Sequence, residues 1–385
     1  MHIAHIVTRL LRAGSEENTL ATCQWQVSAG HRVTLIHGAG HDPHWEDNLP
    51  AGIERVALPQ MVHRVHPLKD MLAVRRLRAL LRETAPDVIH THQSKAGILG
   101  RIAAAALPGA VVVHGIHILP FQGVSSAKRA LYIAAERYAA RRTDVFIGVS
   151  ETMGRAFVEV GITGSEQVHC VRSGMDLARF QHAKPPTDWR HMLGLSGGQP
   201  RPKVVLMMAA FEPRKRHIPF LQSLAKAAPT LPDFKLLLAG HGPEEARVRA
   251  AVQGLNLTDR VVFCGHRPDP EALFALADLS ILTSAREGLP RVVVQSIASG
   301  CPVLVQDLPG LDELVTHQRN GWIADPLDMD ATVQHMRALL TNEPRLAALQ
   351  RGARATDLND WALETLGART TALYGLSTAR GRAAA

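Results

Sequence analysis

The chain has 385 residues, of which 46% are hydrophobic, 20% charged and only 4% aromatic, and its formal net charge is +8. That is a globular composition long enough for two domains, and it excludes disorder as the main state. The longest uncharged apolar run, residues 102–113, is broken by Pro108 and Gly109 and falls short of the roughly 20 residues a membrane span needs.

Most of the positive excess lies before residue 192. It suits a phosphorylated substrate or an anionic membrane face. Few aromatics, and no helix-turn-helix, zinc-finger or RNA-recognition signature, argue against nucleic acid as a partner. The opening residues lack the pattern of a secretory signal, since Arg9 and Arg12 follow the apolar stretch, and the chain reads as cytoplasmic. Cys23, Cys170, Cys264 and Cys301 have no CxxC spacing and read as small buried hydrophobes.

Short Val- and Ile-rich runs alternate with amphipathic helical stretches along the whole chain. Runs 2–7, 32–36, 87–91, 111–113, 145–149 and 168–171 read as strands of one sheet. Runs 204–209, 235–239, 261–264, 279–282 and 302–305 read as strands of a second. Absence of a polar alternate face predicts parallel sheets covered by helices on both sides. Residues 183–203 hold Pro185, Pro186, Gly197, Gly198 and Pro200, a density of turn formers that marks a domain junction. The expected architecture is α/β. Two Rossmann-like doubly wound domains, residues 1–183 and 184–365, face each other across a cleft, with a C-terminal helix near 366–378 packing back on the first. Ligands bind beyond the carboxyl ends of such strands.

The most informative stretch follows the run 279–282. Glu287 and Gly288 make a turn, Leu289, Pro290 and Arg291 open an apolar helix, and Gln295 lies two turns along it, before Gly300 and Pro302. A glycine turn leading to free N–H groups of a helix favours a phosphate. An ordinary strand–turn–helix capped by Glu287 has the same pattern. His90 and His92 alternate on a strand, so they share a face from which a metal could be held, although satisfied structural histidines are the commoner case.

The Glu287 segment resembles the Glu-x7-Glu region of family-4 retaining glycosyltransferases, which have the GT-B fold. Gln295 stands where the family has its second glutamate. Further likenesses follow in order. Arg12, Ala13, Gly14 and Ser15 resemble the glycine-rich loop near the donor diphosphate, and residues 86–101 resemble a stretch of capsule and exopolysaccharide enzymes. His114, Gly115, Ile116 and His117 resemble the segment lining the acceptor side. Gly148 to Glu151 and Ser173 to Asp176 match two strand-end turns. Lys215 occupies a family position, but Ala210 stands where an arginine is usual.

The resemblance implies transfer of a sugar, with retention, from a nucleotide-diphosphate sugar to a glycan or lipid-linked acceptor in envelope polysaccharide synthesis. It implies Glu287, His114 and Lys215 at the chemistry, and Gln295, Gly288, Leu289, Pro290, Arg291, Arg214, Gly14, Gly265 and Arg267 at the donor. His92, Ser94, Lys95 and His117 fall on the acceptor side. No metal and no cofactor beyond the co-substrate is expected. Asp328 and Asp330 spell a metal-binding pattern of other glycosyltransferases, but their place before a helical run reads as a cap. The basic amphipathic run 68–82 is compatible with an anionic membrane at the inner face of the cell membrane, and equally with leucines packed on the sheet. Two rivals stand: a nucleotide-sugar epimerase or hydrolase of the same fold, and a non-catalytic binding subunit, to which Ala210 and Gln295 lend support.

Overall fold

The computed structural model describes residues 1–12, 14–287 and 290–383, with side chains through residue 375. Two compact units emerge, one of Met1–Met175 with Asn359–Ala385 and the other of Asp176–Leu358.

The first unit is built on seven strands: β1 (His2–Leu10), β2 (Arg32–His41), β3 (Ile53–Leu58), β4 (Val88–His92), β5 (Val111–Ile116), β6 (Val145–Gly148) and β7 (Val168–Cys170). They lie in the order β3-β2-β1-β4-β5-β6-β7, every pairing parallel. The second unit has six: β8 (Lys203–Met208), β9 (Phe234–Ala239), β10 (Val261–Gly265), β11 (Leu279–Leu282), β12 (Val303–Gln306) and β13 (Gly321–Ala324). Their order is β10-β9-β8-β11-β12-β13, again all parallel. Chain order reverses direction beside β1 and beside β8, so the loops after these strands open at topological switch points.

Helices cover both faces of the first sheet. Ala73, Leu77 and Leu81 of the helix Pro67–Thr84 bury against Ile6, Ile36 and Ile89. On the opposite face the helices Gly14–Ser28 and Leu363–Ala383 pack together over the sheet, and Leu366 and Tyr374 join Ile3, Val113 and Ile147 in one cluster. That close approach needs glycine twice. A Cβ on Gly367 would stand 2.1 Å from Trp25, and one on Gly174 would stand 2.8 Å from Leu366.

The expected boundary shifts. The turn-rich stretch 183–203 lies inside the second unit, because the short helix Leu177–Gln181 already belongs there and packs on Pro270–Leu276, with Phe180 and Phe274 6.1 Å apart at their ring centres. Strands β3 and β13 were not foreseen. Both are edge strands, and β3 alternates buried and exposed positions too irregularly to stand out.

Candidate active site

In the second unit, β8 and β11 are neighbours, and the loops beyond them are stitched together. The Thr283 hydroxyl donates to the Lys215 carbonyl at 2.8 Å, and the Ala285 amide to the Arg214 carbonyl at 2.8 Å. This brings together three expected site residues that lie 72 and 73 positions apart. The Glu287 carboxylate accepts from the Lys215 ammonium through one oxygen, and from Arg214 Nη1 at 3.0 Å through the other. Arg214 Nε also reaches Glu212 at 2.6 Å. Burial pushes the Glu287 carboxyl up, but the charge and hydrogen bond of Lys215, with Arg214 beside them, outweigh it and hold its pKa below the ordinary value. Burial is also the largest influence on Lys215 and lowers it, against the pull of Glu287.

The helix Arg291–Ala298 starts just beyond, with Pro290 at its N-cap and Gln295 half-buried on its second turn. Gly288 and Leu289 lie outside the described residues. Arg216 is a structural residue: with φ +59° it turns the chain, and its Nη1 is tied to Gln306 at 3.0 Å and to the Pro326 carbonyl at 2.7 Å. Only Arg214 of the two arginines flanking Lys215 faces Glu287.

Gly265 ends β10 with φ +64°, and its carbonyl accepts from the Gly240 amide at 2.8 Å. Arg267 is held bidentate by Asp269 at 2.7 and 2.5 Å, so its fork is directed within its own loop. Asp328 caps the helix Met329–Thr341 by accepting from the Ala331 amide at 2.7 Å, and Asp330 bonds Ser223 and Lys226. The Asp-x-Asp pattern is thus taken up by capping and packing.

In the first unit the expected acceptor-side residues separate into two faces of the sheet. Thr91 and His114 are register partners on one face, where Thr91 Oγ1 and His114 Nδ1 are 3.0 Å apart. The His114 ring lies against Gly97, whose missing Cβ would come within 2.5 Å of it. A small pocket here is lined by Ser94, His114, His117, Glu136 and Phe157. Its buried wall holds the ion pair of Arg101 with Glu136 at 2.6 Å, neither side chain more than 1% exposed. Gln93, at φ +61°, ties the neighbouring loops: its Oε1 accepts from the Thr8 amide at 2.9 Å, and its Nε2 donates to the Ser15 hydroxyl at 3.3 Å, beside Gly14 at the helix start. Lys95 is committed elsewhere, to Asp70 at 2.6 Å and to the Arg64 carbonyl, and so fixes the helix Pro67–Thr84.

His92 points to the other face, with His90. It is buried and reaches the pocket only through His117, its Nδ1 standing 3.0 Å from His117 Nε2. Behind it stand His5, Gln26 and Tyr374, which sequence reasoning missed. His5 Nδ1 is 2.9 Å from His92 Nε2, His5 Nε2 is 2.8 Å from Gln26 Oε1, and Tyr374 OH is 2.8 Å from His90 Nδ1. Burial holds His5 and His117 down to about 4, and His90, His92 and His114 well below the ordinary histidine value. All five are neutral imidazoles at neutral pH. His5 in a run of apolar strand residues was the available signal. Arg101 and Glu136, 35 positions apart on two helices, offered none.

Two family models match the chain. One, described as Glycosyltransferase Family 4, covers residues 13–179, and the other, Glycosyl transferases group 1, covers residues 196–356. Among curated proteins, the UDP-Gal:alpha-D-GlcNAc-diphosphoundecaprenol alpha-1,3-galactosyltransferase of Escherichia coli is 24% identical over 362 residues, 93% of this chain and 92% of that one. The N-acetyl-alpha-D-glucosaminyl L-malate synthase of Bacillus anthracis is 22% identical over 87% of this chain and 89% of its own. Among solved structures, Anabaena HepE in complex with UDP and glucose superposes with a TM-score of 0.79 at 21% identity, covering 98% of this chain and 100% of that one. With these matches spanning both units, and two parallel sheets of the same kind, the chain belongs to the family-4-like glycosyltransferases of GT-B fold.

Proposed function

We propose that the protein transfers a sugar, with retention of anomeric configuration, from a nucleotide-diphosphate sugar to a glycan or lipid-linked acceptor in envelope polysaccharide synthesis. The observation that carries this reading is the Glu287–Lys215–Arg214 cluster at the carboxyl ends of β8 and β11. Its two cations answer a diphosphate. Once phosphate oxygens compete for Lys215 and Arg214, the Glu287 carboxylate is released to accept from sugar hydroxyls. The ion pair therefore holds the site charged and ordered until donor arrives.

In this reading the bond from sugar C1 to the diphosphate breaks and the acceptor oxygen bonds C1 on the same face. The acceptor proton passes to the departing phosphate oxygen. Lys215 and Arg214 stabilise the charge that develops on that leaving group, a duty often worth about 3 kcal/mol per donor. With these cations present, no metal is called on at the diphosphate. Gln295 can accept from one ribose hydroxyl and donate to the other. His114 and His117, with Ser94, serve the acceptor side. Contact with an anionic membrane at the inner face of the cell membrane belongs to the same proposal. Val65, Leu68, Met71 and Leu72 are exposed beside exposed Arg64, Lys69, Arg75 and Arg76.

UDP, GDP, ADP and UDP-sugars are screened by thermal shift with wild type and Glu287→Ala. The reading expects a shift with one base, and extra stabilisation by its sugar that the variant loses. Release of free sugar without an acceptor would instead favour a hydrolase. Ala210 and Gln295 specifically favour a non-catalytic binding subunit, and absence of any nucleotide shift would put that reading ahead of transfer.

A further inference from the structure

Three buried histidines of the first unit, His5, His90 and His92, take no part in the proposed transfer chemistry, and their geometry goes beyond it. His5 and His90 are register partners on β1 and β4, and His92 follows two residues later on the same side. One ring nitrogen of each lies within 4.8 Å of one from each of the others, and the three side chains are buried. A tetrahedral metal with N ligands at about 2.0–2.1 Å holds them about 3.3 Å apart. The 2.9 Å between His5 Nδ1 and His92 Nε2, and the 4.8 Å outer limit, bracket that spacing.

The outer nitrogens are as telling. His5 Nε2 meets Gln26 Oε1 at 2.8 Å, His90 Nδ1 meets the Tyr374 hydroxyl at 2.8 Å, and His92 Nδ1 meets His117 Nε2 at 3.0 Å. Each imidazole thus has one ring nitrogen held by a partner outside the trio, the arrangement that orients histidine ligands. His90 Nε2, by contrast, is buried with no hydrogen-bond partner. In the metal-free array this follows from the donors. Gln26 donates its amide to Tyr374 at 3.0 Å, Tyr374 donates to His90 Nδ1, and the His90 proton is left on the unpartnered Nε2.

We propose that His5 Nδ1, His90 Nε2 and His92 Nε2 form a binding site for a zinc-class divalent metal, with water as fourth ligand. Loading needs no net proton release from the three rings. His5 keeps its proton on Nε2, while His90 and His92 move theirs to Nδ1. His117 takes the Nδ1–H tautomer so that its Nε2 accepts from His92, and the Tyr374 hydroxyl rotates so that its oxygen accepts from His90. The one orphaned nitrogen becomes a ligand. Neutral imidazole is the ligating form, and it suits zinc, copper and nickel better than magnesium or calcium. The site lies on the far side of the sheet from His114, so its role is to lock β1, β4 and the helix Leu363–Ala383 together.

The test uses the full chain, stripped with chelator and titrated with zinc against a chromophoric competitor, and with cobalt followed by visible absorption. Wild type is expected to take up one equivalent, give the intense visible bands of tetrahedral cobalt, and rise in Tm by several degrees. His90→Gln is expected to lose at least tenfold in affinity. If that variant fails to fold, X-ray absorption of zinc-loaded wild type still decides, three imidazole ligands supporting the site and any thiolate or carboxylate set refuting it. Less than a tenth of an equivalent bound by folded wild type, or undiminished uptake by folded His90→Gln, overturns the proposal and leaves a metal-free hydrogen-bonded array.

Discussion

Glu287 bears opposing demands: it is almost wholly buried, yet it must stay ionised to hold Lys215 and Arg214. Glu287→Gln keeps the shape and removes the charge. We expect transfer to fall by about 10²-fold or more, the cost of one lost electrostatic contact at a reacting centre, while UDP-type binding persists. Steady-state rates beside nucleotide titration check this. Because its pKa is depressed, the stability it contributes is full above the ordinary carboxylate range and lost only as pH falls through that lowered value. His217, two residues beyond Lys215, has a sensitivity of the same sign in a higher pH window. It is buried beside Phe211, and burial, then Lys215, hold it at about 4. The unfolded chain takes up its proton from about pH 6.5 downward. Stability is therefore full above that value and falls by up to about 1.4 kcal/mol per unit until pH 4. Urea midpoints across that range should decline less steeply in His217→Phe.

At the scale of elements, the pair Arg101–Glu136 joins the helices Ser94–Ala104 and Ser126–Ala140 inside the protein. Arg101→Met alone strands a buried carboxylate and should cost about 3–5 kcal/mol, while Arg101→Met with Glu136→Leu should recover most of it. Denaturant unfolding of the three proteins tests this cycle. Gly97 on the first of these helices is fixed by the His114 ring, and Gly97→Ala should cost about 1–3 kcal/mol and displace that histidine. The helix Pro67–Thr84 shows how much was legible beforehand. Its 3.6-residue period revealed both the helix and the leucines that meet the sheet, while leaving open what its exposed start touches. Vesicle flotation should find binding to anionic but not zwitterionic lipid, reduced by Leu68→Glu with Met71→Glu. In the same way Glu287 and Lys215 stood out through local motifs, each at the end of a readable strand. His5, Gln26 and Tyr374 did not, because their meeting depends on strand register and on a helix nearly 350 residues from Gln26, neither of which has a local signature. The resemblance places His92 on the acceptor side, whereas in the structure it meets the pocket through His117: a motif match carries a position along the strand, but not the face its side chain takes.

For the molecule as a whole, the two units differ in how they close. The second has its entire apolar cluster within residues 205–349. The first needs Leu366 and Tyr374 for its own. Expressed separately, residues 176–358 should fold cooperatively, whereas residues 1–175 should expose apolar surface and melt without a sharp transition. Circular dichroism and dye binding on the two fragments would show it. Adding residues 359–385 as a separate peptide should restore order to residues 1–175.

That return of the chain has a consequence for how the protein comes into being. A ribosome delivers β1 through β7 early, but the helix Leu363–Ala383 only after the whole intervening unit has been made. At typical synthesis rates of about 5–20 residues per second, Gln26 and His90 stand for about ten seconds or more without the hydroxyl that joins them. The second unit is complete only 16 residues before Tyr374, about one to three seconds at the same rates, so for most of that interval both halves of the nascent chain are open, the first for longer. Translation pauses late in the message would lengthen this exposure, and a chaperone would find its binding surface on the side of the first sheet that Tyr374 later covers.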